Sequence, residues 1–97
     1  MTTSDARNHK RRVNRHVDEK MAHYRMSMAF ASAVAILEAA ADGLEPPPPP
    51  SPAEQDAQAW EAFDQAHAAA RQEVMAEDLV RELRRTARQR SSPKNQA

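Results

Sequence analysis

The chain has 97 residues, no cysteine and a formal net charge of zero, with 14 Lys and Arg against 14 Asp and Glu. That length allows one small domain, and the lack of cysteine excludes disulfides and thiolate metal sites. Of the 40% of residues that are hydrophobic, 20 are Ala by count, so a core made by this chain alone is thin and a second copy or another protein is the expected remedy.

The zero net charge hides a segregated chain. Residues 1–25 carry seven bases and three acids (+4), residues 26–64 carry seven acids and no base (−7), and residues 65–97 carry seven bases and four acids (+3). Few glycines and abundant Ala, Arg, Glu and Gln favour helix nearly everywhere outside one proline run. The expected fold class is all-α: two long helices joined by a rigid proline-rich spacer into a helical hairpin, completed by oligomerisation into a helical bundle.

A flexible basic segment is expected over residues 1–12, with Ser4 and Asn14 as the candidate caps for a first helix over 13–43. Asp42-Gly43-Leu44 reads as its end, because Gly43 can take the left-handed conformation and Leu44 can fold back. The apolar run Met26–Leu37 has twelve residues, too few for the ~20 that span a bilayer. Some 25 residues precede it, an unusual length for a secretory leader, and the expected location is cytoplasmic.

At about 100° per residue, Val13, Val17, Met21, Tyr24, Met28, Ala31 and Ala35 share one face of the first helix. Met26, Phe30, Val34, Leu37, Ala41 and Leu44 form a second face roughly 125° away. A segment apolar on two sides is expected to meet two neighbours.

The spacer, 44–51, contains five consecutive prolines, Pro46–Pro50. As polyproline II they span about 15 Å, more than the ~8–10 Å between packed helices, so the spacer is expected to arch outward or to join helices that are not nearest neighbours. The second helix, 52–90, opens on a capping box: Ser51 accepts from free N–H groups, Pro52 suits the first position, and Glu54 lies three residues on. A polar tail, 91–97, is expected to be disordered.

Trp60, Phe63, His67, Ala70 and Val74 share one face of the second helix, while Ala76, Leu79, Val80, Leu83 and Ala87 lie about opposite. With no Gly or Pro near Val74 to break the helix, its two halves are expected to bury against different partners. An antiparallel hairpin levels Val34 and Leu37 with Trp60, and Phe30 with Phe63. It also puts Val13 and Val17 near Val80, and Lys10, Arg11 and Arg12 level with Arg81, Arg84 and Arg85. Such a basic end repels itself unless an anion or an acidic neighbour compensates. A homodimeric four-helix bundle, acidic end of one copy against basic end of another, meets that requirement.

Arg81, Arg84, Arg85 and Arg88 recur at i, i+3, i+4 and i+7 opposite the Leu79, Val80 and Leu83 stripe. Solvated pairing of Glu77 with Arg81 and Glu82 with Arg85 is the plain reading. Phosphate gripping, assisted by Arg11, Arg12 and Arg15, is the sharper one. No aromatic residue in the basic clusters stacks on a base, so backbone contact alone is implied.

His9, His16 and His23 recur every seven residues, about 10.5 Å of helix rise, so no two share an ion within one chain. No glycine-rich loop and no nucleophile with an activating base are evident.

The expectation is a non-enzymatic interaction or adaptor protein without cofactor, metal or small-molecule substrate. It self-associates, a dimer being favoured, and meets a partner through its Arg-rich C-terminal helix. The alternative is non-specific binding of nucleic acid backbone by Arg11, Arg12, Arg15, Arg81, Arg84, Arg85 and Arg88; a membrane surface is disfavoured. The expected packing or oligomer interface is Phe30, Val34, Leu37, Trp60, Phe63, Val74, Leu79, Val80 and Leu83.

Overall fold

The computed structural model of the chain describes residues 3–91. Two α-helices, α1 (Thr3–Ala41) and α2 (Pro52–Arg90), make up the fold, and no strand occurs among the described residues. The all-α helical hairpin expected from composition is the observed architecture. Residues 92–97 of the expected polar tail lie outside the described residues.

The junction between the helices follows local chemistry. Gly43 has φ +69°, its N–H donates to the Ala40 carbonyl at 3.1 Å, and the Leu44 N–H donates to Ala39 at 2.8 Å. These are the paired bonds of a Schellman motif, which satisfy carbonyls the helix leaves open. Ser51 caps α2, its hydroxyl accepting from the Glu54 N–H at 3.2 Å. The Gln55 amide donates to the Pro50 carbonyl at 2.8 Å and ties the spacer to the first turn. At the far end the Ser91 hydroxyl donates to the carbonyl of Ala87 at 2.9 Å.

The first helix starts at Thr3, not near residue 13, so Ser4 and Asn14 lie inside it and neither is its cap. The reason is tertiary: Arg12, His16 and Lys20 are pinned to α2 and hold the N-terminal half of α1 against it. α2 runs unbroken past Val74.

The proline run departs from its expected path. Pro46–Pro50 line one groove with Met28, Ala31, Ser32, Ala35 and Ile36, so the spacer turns back alongside α1 after Gly43 instead of arching away. Its length is spent along the helix axis, and α2 begins beside α1 rather than level with its end. Levelling that ignored this path was wrong by one to two turns. Val13 and Val17 pack on Ala70 and Val74, not on Val80.

That cluster is the core. Val13, Val17, Ala66, Ala70 and Val74 are the buried hydrophobic residues, with Met21 packed against them. The aromatic half expected to form a core does not: Phe30 and Leu37 are 72% and 69% exposed, and Trp60 is 66% exposed. Two helices in one layer offer each only one covered face, and the small residues of that face are the ones that allow close approach.

Candidate interaction surfaces

One flank of the hairpin carries a ladder of opposite charges. Lys20 Nζ lies 2.7 Å from Oε1 of Glu73, whose other oxygen is 2.9 Å from His16 Nδ1. His16 Nε2 in turn lies 2.8 Å from Oε1 of Glu77, whose second oxygen takes Arg12 Nη2 at 2.8 Å. Arg12 Nη1 donates to Asp78 at 2.6 Å, and Arg81 stands 4.0 Å beyond. Base and acid alternate through seven residues without a gap, and each Glu carboxylate uses both oxygens.

The two ring nitrogens of His16 thus face two different carboxylates, one turn apart on α2, and join the Glu73 and Glu77 rungs. The carboxylates respond to their partners. Lys20 donating to Glu73 holds that carboxyl below its ordinary value. Arg12 does the same for Glu77 and for Asp78, and the Arg12 guanidinium is correspondingly raised by Glu77 first and Asp78 second.

This ladder supplies, within the chain, the acidic neighbour that the basic end requires, and it corrects one expected pairing. Arg12 is not held beside Arg81, Arg84 and Arg85 without relief, because Glu77 and Asp78 receive it. Glu77 pairs with Arg12 and His16 across the hairpin rather than with Arg81 along its own helix. Glu82 does pair with Arg85 as expected. The residues that sequence reasoning missed are His16, Lys20, Glu73 and Asp78. A signal for most of them was present: Arg12, His16 and Lys20 recur at i, i+4 and i+8, and Glu73 and Glu77 at i and i+4.

The arginines expected to act together do not form one set. Arg11, Arg12, Arg15 and Arg81 line a groove at the end of the hairpin with His9, Asn8, Asp5 and Asp78, Arg12 and Arg81 being paired there with carboxylates, while Arg85 pairs with Glu82. Arg84 and Arg88 are exposed and form no ion pair among the described residues. None of the seven acids in residues 26–64 forms an ion pair among the described residues either.

Apolar surface is left open in three main patches, and Met28 and Ile36 beside the proline run are partly open as well. Met26, Phe30 and Leu37 lie along the second face of α1, and Leu44 is exposed just beyond its end. Trp60 meets Phe63 edge to face at 6.0 Å, and both line a groove with Met21; the half-buried His67 ring sits 6.1 Å beyond Phe63. Met75, Leu79 and Leu83 form the third patch, on α2. Of the nine expected interface residues, Val74 is wholly buried within the chain and Val34 is half-buried, while the others are exposed.

No helix of the described residues is long and apolar enough to cross a membrane, and no group of three His, Asp or Glu among them is placed to hold a metal ion. Compared with protein families, characterised proteins and solved structures, the chain matches none.

Proposed function

We propose that this chain is a non-enzymatic helical interaction protein that associates with itself and offers a further surface to a second protein. One observation carries the reading: among the described residues five are buried, while twelve large hydrophobic side chains remain exposed. A single layer of two helices leaves those side chains in water, and contiguous exposed apolar surface of this kind marks a place where another protein docks.

The distribution of charge supports the same reading. The ion pairs seen between described residues draw their acids from Glu73, Glu77, Asp78 and Glu82, which leaves the acidic middle and the Arg84 and Arg88 pair for contacts between molecules. On α2 the apolar Leu79 and Leu83 project about opposite Arg84 and Arg88, so one amphipathic segment presents either an apolar or a cationic face to an acidic protein surface.

Light scattering of purified protein between about 1 and 100 μM tests self-association. A dimer that dissociates on dilution is expected, whereas a monomer of undiminished helicity throughout would sink the reading.

A second reading, binding of a nucleic acid backbone, draws on the groove shared by Arg11, Arg15 and Arg81 beside the free Arg84 and Arg88. Heparin retention and a duplex DNA mobility shift, each with Arg84→Glu plus Arg88→Glu as control, separate the two. Phosphate binding requires a shift that the double change abolishes and that salt weakens steeply. A change of oligomeric state with no effect on DNA assigns these arginines to assembly.

A further inference from the structure

We infer that the second face of α1 pairs with the same face of a second copy of this chain, antiparallel, about a two-fold axis near Ala33 and Val34. This rests on the self-association reading and assigns its surface: Met26, Phe30, Val34 and Leu37, with Ala33 and Ala41 between and beyond them.

Four observations converge. First, the proline run lies on the opposite side of this stretch. It shares a groove with Met28, Ala31, Ser32, Ala35 and Ile36, about 160° around the helix from Phe30; Met28 and Ile36 there are 42% and 50% exposed, against 72% for Met26 and Phe30 and 69% for Leu37 on the barer side. Second, the stretch is self-complementary. A two-fold contact requires that if residue i meets residue j, then j also meets i. An axis near residues 33 and 34 sets Phe30 of each copy against Leu37 of the other, and Met26 against Ala41. The small Ala33 and the half-buried Val34 lie at the crossing, where helices come closest.

Third, charge permits this direction and opposes the other. Residues 26–37 contain no charged residue. In the antiparallel pair the Asp42 to Glu45 corner of each copy comes level with Arg25 of the other, whereas parallel helices set Glu38, Asp42 and Glu45 against themselves. The α2 stripe lacks this property: a two-fold between Leu79 and Val80 brings Arg88 level with Arg71 of the second copy. Fourth, the area fits a weak pair that dissociates on dilution. Met26, Phe30 and Leu37 are 72%, 72% and 69% exposed, so covering this face in two copies removes on the order of 1,000 Å² from water, the size of a weak or transient interface.

The α2 stripe at Leu79 and Leu83 lies far from this axis and is left open in such a dimer, for a partner of another kind.

The test compares the full-length chain with Phe30→Glu and Leu83→Glu by light scattering, with far-ultraviolet circular dichroism as the measure of fold. Phe30 lies outside the core, so Phe30→Glu is expected to keep its helicity while weakening the dimer at least 50-fold. Leu83→Glu is expected to leave the dimer intact. Spin labels on Asp18→Cys in the otherwise cysteine-free chain report direction: antiparallel pairing sets the two about 45 Å apart along the axis. A dimer that survives Phe30→Glu, or that dissociates with Leu83→Glu alone, overturns this surface while self-association stands. Labels at residue 18 closer than about 20 Å overturn the antiparallel order. A wild-type monomer defeats the self-association reading and this surface together.

Discussion

Arg12 and Asp78, 66 residues apart in sequence, meet through a 2.6 Å hydrogen bond, and the same guanidinium reaches Glu77 at 2.8 Å. This contact turns an end that sequence alone makes self-repelling into one that holds together. Arg12→Glu is therefore expected to lower the thermal midpoint by roughly 5 °C or more, because it leaves two carboxylates facing a third. Arg84→Glu, at a position without an ion pair among the described residues, is expected to shift it by no more than about 1–2 °C. Melting curves followed by circular dichroism distinguish the two.

The ladder also fixes the direction of a pH dependence. Glu73, Glu77 and Asp78 are held below their ordinary values of 4.5, 4.5 and 3.8 in the folded chain, so the unfolded chain binds more protons as pH falls. Their contribution is complete above those ordinary values and is lost as pH drops through the lowered ones. Arg12 is raised, so its contribution persists throughout the working range and disappears only in strong alkali. Denaturant midpoints at pH 7, 5, 4 and 3 are expected to fall mainly below pH 5. A profile that instead rises toward pH 3 would contradict the ladder.

The core is small enough that one side chain governs it. Val74 is fully buried against Val13 and Val17, and Val74→Ala is expected to cost about 2 kcal/mol, from two lost methyl groups and the space they leave. Leu79→Ala, at a side chain 60% exposed, is expected to cost less than about 0.5 kcal/mol in the dissociated chain. Urea titration at the lowest practicable protein concentration checks both.

The spacer is expected to contribute to register alongside the ladder. Replacing Pro46–Pro50 with five Gly and Ser residues preserves the length in residues but removes the stiff extended run and adds chain entropy to the unfolded state. The expected result is a lower midpoint together with a broadened distance distribution between labels at Arg25 and Gln65. A distribution as narrow as in the native chain would show that the ladder alone fixes the register.

Gly43 offers a narrower check on the same junction. Its φ of +69° disfavours any side chain, although a Cβ there meets nothing within 4 Å. Gly43→Ala is thus expected to cost about 1 kcal/mol through backbone strain without a clash. Urea titration measures it, and a neutral result would mean that the turn reforms differently.

By itself the sequence determined what is local. Gly43 and Ser51 mark where one helix ends and the next begins, because a left-handed residue and a capping hydroxyl act within a few residues of where they stand. Helical spacing likewise made the two apolar faces of α1 and the two halves of α2 legible, since 100° per residue is a property of the helix and not of its neighbours. Which face would be covered was not legible. That depended on where the proline run went after Gly43, and its turn back along Met28 to Ile36 displaced α2 by one to two turns. Only the tertiary structure decided that Val13 and Val17 meet Ala70 and Val74, that Arg12, His16 and Lys20 meet Glu73, Glu77 and Asp78, and that Phe30 and Leu37 face water. An axial slide of a few ångströms costs a helix nothing internally but exchanges every partner it has, so register is a property of the pair, which neither helix specifies alone.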